Sequence, residues 1–241
     1  MVSKKTCFLI AGALIFCAAM FSPRTSALWA GDTASFVDLG FSPDGRIYIF
    51  AQYGVESGTL RPWADMSIVD VPRNDFVNGG QVSFIHNSPV ISGSDGAGAF
   101  YRLISRNSSL AEQYGVTFLR QGQPLYISLD SNDPGGNRET IEFRDFEAGN
   151  SYKATLVPAV EGSGSSLKSS FHITLDRVSR NGDRKTSSVG NPQIKRPLIA
   201  SYKIKRVMVA PNDGSLIFVI ETKRQAADGF DIRYMVEALR Q

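Results

Sequence analysis

The chain carries few residues of the kinds that do covalent or acid–base chemistry. It has two histidines, His86 and His172. They lie far apart, each in or beside a strand-like segment, and no Gly-x-Ser-x-Gly elbow supplies a nucleophile for either. Neither His-x-His nor His-Glu-x-x-His occurs, so histidine-based zinc is unsupported. Acidic residues are better placed: Glu139, Glu142, Asp145 and Glu147 fall within nine positions. Two carboxyl groups held ~5 to 9.5 Å apart would suffice for glycoside hydrolysis, but spacing along a strand does not set that separation, and Glu142 with Arg144 reads as ordinary outward positions. Asp130, Asn132 and Asp133 are the best calcium candidates, as hard oxygen ligands around a glycine turn. Measured against an EF-hand loop they fail, with Pro134 in the fifth position and Ile141 in the twelfth, and a strand-to-strand turn explains the same residues. No cofactor is implied, since Walker and dinucleotide glycine loops are absent. The remaining candidate is a contact surface. Arg61 and Trp63 stand in the connection "VESGTLRPWA", where an exposed indole beside a guanidinium would suit a glycan or a protein partner, and a Trp folded over the sheet end would be core.

The elements that must position these residues begin after a leader. "MVSKK", the 16-residue apolar run "TCFLIAGALIFCAAMF" and the break "SPRTSA" form the three parts of a secretory signal peptide over residues 1–27. The run is shorter than the ~20 residues of a membrane-spanning helix, which leaves an uncleaved anchor as the lesser reading. Cleavage removes Cys7 and Cys17, the two cysteines of the chain, and with them disulfides, thiol catalysis and thiolate metal sites. A lipidation site at Cys17 is disfavoured by Phe16 directly before it. The leader also holds Lys4, Lys5 and Arg24 and no acid, so the net charge of +3 for the whole chain becomes zero from Leu28 onward. A neutral exported chain has no general attraction to nucleic acid. The charge is uneven in sequence, with a local +8 from Lys168 to Arg206 and −7 over residues 28–167, which folding is expected to interleave on solvated faces.

Residues 28–241 read as a single β-rich domain. Strand signals recur at 35–41, 46–53, 66–71, 81–85, 125–129, 140–146, 152–157, 171–178, 202–209, 216–222 and 232–238. One helix is expected near 99–114, where Phe100, Leu103, Ile104, Leu110, Ala111 and Tyr114 keep helical spacing and Gly115 suits its end. The Gly/Ser stretch 161–166 and the polar stretch 180–192 read as hairpin loops. In "SYKIKRVMV", Tyr202, Ile204 and Val207 are expected to face inward and Lys203 and Lys205 to face water.

Two hairpins, over 40–72 and 207–238, share one design. Pro43 sets the first corner of a turn, Asp44 bonds its own backbone and Gly45 takes the positive φ; "APNDGSLIFVI" repeats the turn with one residue inserted. The expectation is that Ile47, Ile49, Val69, Leu216, Phe218 and Ile232 share a core while Asp44, Gly45, Asp213 and Gly214 lie in exposed turns. "FSPDGRIYIF" followed by "MSIVDV" resembles the Ser-Pro-Asp-Gly hairpin of TolB-like and WD40-like β-propeller blades. "AGDTASFVDLGFSPDGRIYIFAQYGVESG" with "PWADMSIVDV", and later "SYKIKRVMVAPNDGSLIFVIE", resembles a family of predicted secreted proteins found mainly in spirochaetes, for which no catalytic residues are established. Propeller blades recur every ~40 to 50 residues, whereas the two Asp-Gly turns are 169 residues apart. The expected fold is therefore mainly β, with antiparallel sheets in a sandwich or open barrel, and a small or irregular propeller as the alternative.

The functional expectation is an exported envelope protein, periplasmic or secreted, that binds another envelope protein or a surface ligand without catalysis. The alternative is a secreted glycan hydrolase that works with carboxylates alone. Intact-mass analysis of the exported protein should find Leu28 as its first residue, or Leu28 with a minor form cut after Ala30. A mass that retains residues 1–27 would establish the anchor.

Overall fold

The computed structural model describes residues 31–129, 138–227 and 229–241. Strands β1 (Ser35–Phe41), β2 (Ile47–Val55), β3 (Pro62–Asp70) and β4 (Asp75–Ile85) form a four-stranded antiparallel meander, the first sheet, followed by helices α1 (Ala97–Arg106) and α2 (Ser108–Gln113). Next comes β5 (Gln123–Ile127), which joins a later sheet. The second sheet contains β6 (Glu139–Asp145), β7 (Asn150–Glu161) and β8 (Lys168–Val178), with β9 (Arg184–Val189) and β10 (Arg196–Pro197) on different stretches of the far side of β8. The third is the meander β11 (Ile199–Val209), β12 (Leu216–Ala226) and β13 (Gly229–Leu239), with β5 added beside β11.

The third sheet is the middle of the stack. In β12 the run Leu216-Ile217-Phe218-Val219-Ile220 is buried at every residue, which a strand reaches only when both of its faces are covered. Leu216, Phe218 and Ile220, with Tyr202, Ile204 and Val207, pack on Phe143, Leu156, Phe171 and Ile173 of the second sheet. Ile217 and Val219, with Met208, Val236 and Ala238, pack on Tyr48, Phe50 and Val69 of the first. A register shift between Ile204 and Arg206 explains why Val207 stays on the face of Ile204 despite the odd spacing. The far face of the first sheet, including Ile49, Met66 and Ile68, is covered by Ala99, Phe100 and Leu103 of α1. The molecule is thus mainly β and sandwich-like, in layers that close no barrel.

All eleven strands expected from the sequence are present, and β9 and β10 are additional. β9 falls within the polar stretch 180–192 expected to be a loop, and β10 just beyond it, where no strand is expected. Arg184-Lys-Thr-Ser-Ser-Val189 carries almost no apolar signal, since β9 is exposed except at Val189 and is held by its pairing with β8. The expected single helix is two. Asn107 ends the first by donating from its side chain to the Leu103 carbonyl (2.8 Å) and from its backbone to that of Ile104 (3.1 Å). Lys203, expected to face water, is 8% exposed, because β11 belongs to the sheet that is covered on both sides.

The two Asp-Gly hairpins lie in facing sheets, but with a different set of inward residues from the one expected. Val69 is in the shared layer with Tyr48, Phe50, Ile217 and Val219; Ile47 and Ile49 face the helix, and Leu216 and Phe218 face the second sheet. When both faces of a strand are buried, both parities are apolar and alternation no longer says which face is which. The turns themselves meet. Asn212 donates to the Pro43 carbonyl at 2.8 Å, and Gly45 is buried against Pro211 rather than exposed. A Cβ on Gly45, whose φ is +72°, would stand 1.8 Å from the Pro211 carbonyl oxygen; one on Gly214, with φ of +74°, would meet nothing within 4 Å.

This difference separates backbone preference from packing. Gly214→Ala should cost about 1 kcal/mol, the left-handed penalty alone. Gly45→Ala should cost about 3 kcal/mol or more, because the turn–turn contact must open as well. Urea melts of the two variants check this; equal losses would show that the turns do not depend on each other.

Candidate functional site

Trp63 is the second residue of β3 and is 5% exposed. Its indole N–H donates to Asp32 Oδ2 at 2.5 Å, Arg233 donates to the same oxygen at 2.7 Å, and the Arg233 guanidinium lies 4.1 Å from the centre of the Trp63 ring. Burial raises the pKa of Asp32, and Arg233 and then Trp63 pull it back. The group ties three parts of the chain together. Thr33 forms a parallel bridge to Ile232, so that β13, β3 and the segment before β1 meet at one carboxylate. Arg61, two residues before Trp63, turns outward and pairs with Glu56 at 3.1 Å. The two residues therefore form no common contact surface: the indole is core, and the guanidinium is engaged in its own loop.

The acidic residues singled out by spacing do not converge. Glu139 accepts from the Ile204 amide at 2.9 Å, Glu142 is 3.6 Å from Lys153, and Glu147 is exposed in the turn after β6. Asp145 is buried and accepts from the amides of Glu147 and Ala148 at 2.9 and 3.0 Å, an ordinary turn cap. Asp130, Asn132 and Asp133 lie outside the described residues. His86 takes the Ser88 amide on its Nδ1 at 3.1 Å at the end of β4, and His172 lies in β8 of another sheet.

One concave feature of the fold runs along β13, where the first and second sheets flank the edge of the third; other hollows of about 460 and 470 Å³ lie on the second sheet and beside α1. Along β13 two cavities of about 390 and 500 Å³ follow each other and share Phe76, Arg196 and Met235. Glu237, 7% exposed, lines the first. Its Oε2 accepts from Asn74 Nδ2 at 2.6 Å, and its Oε1 is 3.5 Å from Arg196. Asn74 follows a 3-10 turn over Val71–Arg73 with a φ of 50°, a left-handed conformation that asparagine tolerates well. Its Oδ1 accepts from the Ala238 amide at 2.5 Å, so one side chain binds the first sheet to β13 twice. Arg196, from β10, brings in the second sheet and lies 5.2 Å from the centre of the Phe171 ring. Burial lifts the carboxyl pKa of Glu237; the Asn74 hydrogen bond, then Arg196, act against it. In the second cavity the Tyr234 hydroxyl is pushed up to about 12 by burial and by the adjacent Glu221. Phe76 and Ile194 remain 41% and 51% exposed at the mouth of the first cavity. The groove offers a braced carboxylate, guanidinium groups and apolar walls, which is the equipment of recognition.

None of this set was legible beforehand. Asn74 and Glu237 are 163 residues apart, and the signals available were an asparagine after a Pro-containing turn and a lone acid inside the apolar strand "YMVEAL".

A family model described as "Predicted secreted protein (DUF2259)" matches residues 49–240. The chain belongs to this family. The match spans the greater part of all three sheets and every residue that lines the groove. The family description agrees with the expectation of export, and the protein is an exported one. No curated protein matched. Among the described residues no helix is long and apolar enough to cross a membrane.

The raised pKa of Glu237 gives a signed prediction. An acid whose folded pKa exceeds its unfolded value holds its proton longer in the native state, so the native state loses stability as pH rises from about 4.5 through the folded pKa. Asp32 and Asp38 are shifted in the same direction, each chiefly by burial. Glu237→Gln should melt at a higher temperature than the wild type at pH 7, with the gap closing below about pH 4. A variant less stable at pH 7 than at pH 4, relative to wild type, would show that the ionised pair with Arg196 outweighs the desolvation.

Proposed function

We propose that this exported protein is a non-enzymatic binding module of the cell envelope, periplasmic or released, and that its partner or surface ligand seats in the groove along β13. The observation that carries the reading is the groove itself: a concave site where all three sheets meet, with its polar groups held in place and two apolar side chains left open at its mouth. Preorganised polar groups beside exposed apolar surface favour association, because little ordering cost remains on the protein's side. Hydrolysis of glycan by carboxylates alone finds less support. Glu139, Glu142 and Asp145 are each engaged in a separate contact, Glu147 stands exposed in a turn, and Glu237 is braced by an amide and a guanidinium. The charge balance of the exported part argues against a nucleic-acid ligand.

A photoreactive phenylalanine analogue placed at Phe76 or Ile194 should cross-link to a discrete neighbour when the protein is exported by its own cells. The same group at Glu142, on the exposed face of the second sheet, should not. Adducts from Glu142 alone would overturn the reading, as would turnover of cell-wall glycan that disappears in Glu237→Gln.

A further inference from the structure

β13 is the last strand of its sheet, and its open side specifies the chemistry of a partner. The register with β12 runs without interruption from Gly229 to Leu239, so the backbone groups of alternate residues turn away from β12. Ile232 is one of these. Its N–H donates to the Asp32 carbonyl at 2.8 Å and its C=O accepts from the Ala34 amide at 3.1 Å. The chain has already added a short parallel strand to this edge at that point.

The residues of the same parity are Tyr234, Val236 and Ala238. The Tyr234 amide donates to the Gln52 side chain at 2.9 Å and the Ala238 amide to the Asn74 side chain at 2.5 Å. Each side-chain carbonyl takes the place of a carbonyl from a neighbouring strand. Val236 lies between them, and among the described residues none bonds to its outward N–H or C=O. It lines the first cavity, while Tyr234 and Met235 line the second, so the groove follows the strand across this unpaired residue.

We propose that β13 accepts an extended segment of a partner protein as an additional strand, with Val236 as the residue that pairs with it. The inference rests on the groove being the binding site. One donor and one acceptor on the same residue match a peptide unit of the partner, and an unpaired strand edge is the surface on which such addition occurs. The mode continues what residues 32–34 already do at Ile232. Gln52 and Asn74 bound the window, so that pairing is centred on one residue and the flanking side chains must supply the rest. Alternate side chains of an extended segment point to opposite sides, which fits apolar residues laid against Phe76 and Ile194.

The test selects nine-residue peptides from a random display library on the exported protein, then synthesises the best binder with and without a single backbone N-methyl group at each central position. Strand addition requires that one methylation weakens binding about tenfold or more, the worth of one hydrogen bond with a desolvated partner. It also requires that bound peptide slows exchange of the Val236 amide, and that Ile194→Arg, a change at an exposed position, weakens binding. Binding that needs Ile194 but ignores methylation and leaves the Val236 amide unaffected would keep the groove as the site and overturn strand addition. Peptide binding indifferent to Ile194→Arg would overturn both readings, and a selection that returns no binder would overturn strand addition.

Discussion

The architecture depends on the burial of β12 on both faces. Five successive apolar residues in an extended strand send their side chains alternately to opposite sides, and each side needs its own cover. One cover is the second sheet and the other is the first, so two layers that share no strand are held together through a third. Apolar burial is non-directional and scales with area. It brings the layers together without deciding how they are aligned, and the alignment comes from polar contacts at the margins of the stack.

Those contacts cluster on β13. At one end Asp32 collects Trp63 and Arg233; at the other Asn74 grips Ala238 and Glu237, with Arg196 approaching from the second sheet. Each places a carboxylate where water is largely excluded, and the cost appears as the upward pKa shifts of Asp32 and Glu237. A buried acid with a hydrogen-bonding partner is an exacting reporter of position, because a small displacement leaves it unsolvated and unpaired. The groove is the space left between these two anchors. Its position on the sheet edge follows from the same geometry: on the side away from β12, among the described residues, β13 meets only the short bridge at residues 32–34, and the two outer sheets rise on either side of it.

Much of the local structure was legible in the residues. Alternation located strands such as Thr140 to Phe146 and Tyr152 to Val157, whose outer faces meet water and therefore stay polar. Turn chemistry at Pro43-Asp44-Gly45 and Asn212-Asp213-Gly214 located both terminal hairpins. The failures have a common cause. β9 is a polar strand supported by backbone pairing with β8, which leaves no hydrophobic trace. The assignment of Ile49, Leu216 and Phe218 to one core failed because strands buried on both faces are apolar at both parities. The outward assignment of Lys203 failed for the related reason that a lysine in a strand normally marks a wet face.

By itself, then, the sequence determined that the protein is exported, built of strands and provided with two similar hairpins far apart in the chain, since each of these properties is written in neighbouring residues. Only the tertiary structure decided which sheet lies in the middle, that Gly45 is pressed against Pro211, that Trp63 is core, and that Asn74, Arg196 and Glu237 meet. Those outcomes depend on pairs of residues from 31 to 170 positions apart. Their contact is set by which faces must be covered and which buried polar groups must find partners, and neither requirement leaves a local pattern along the chain.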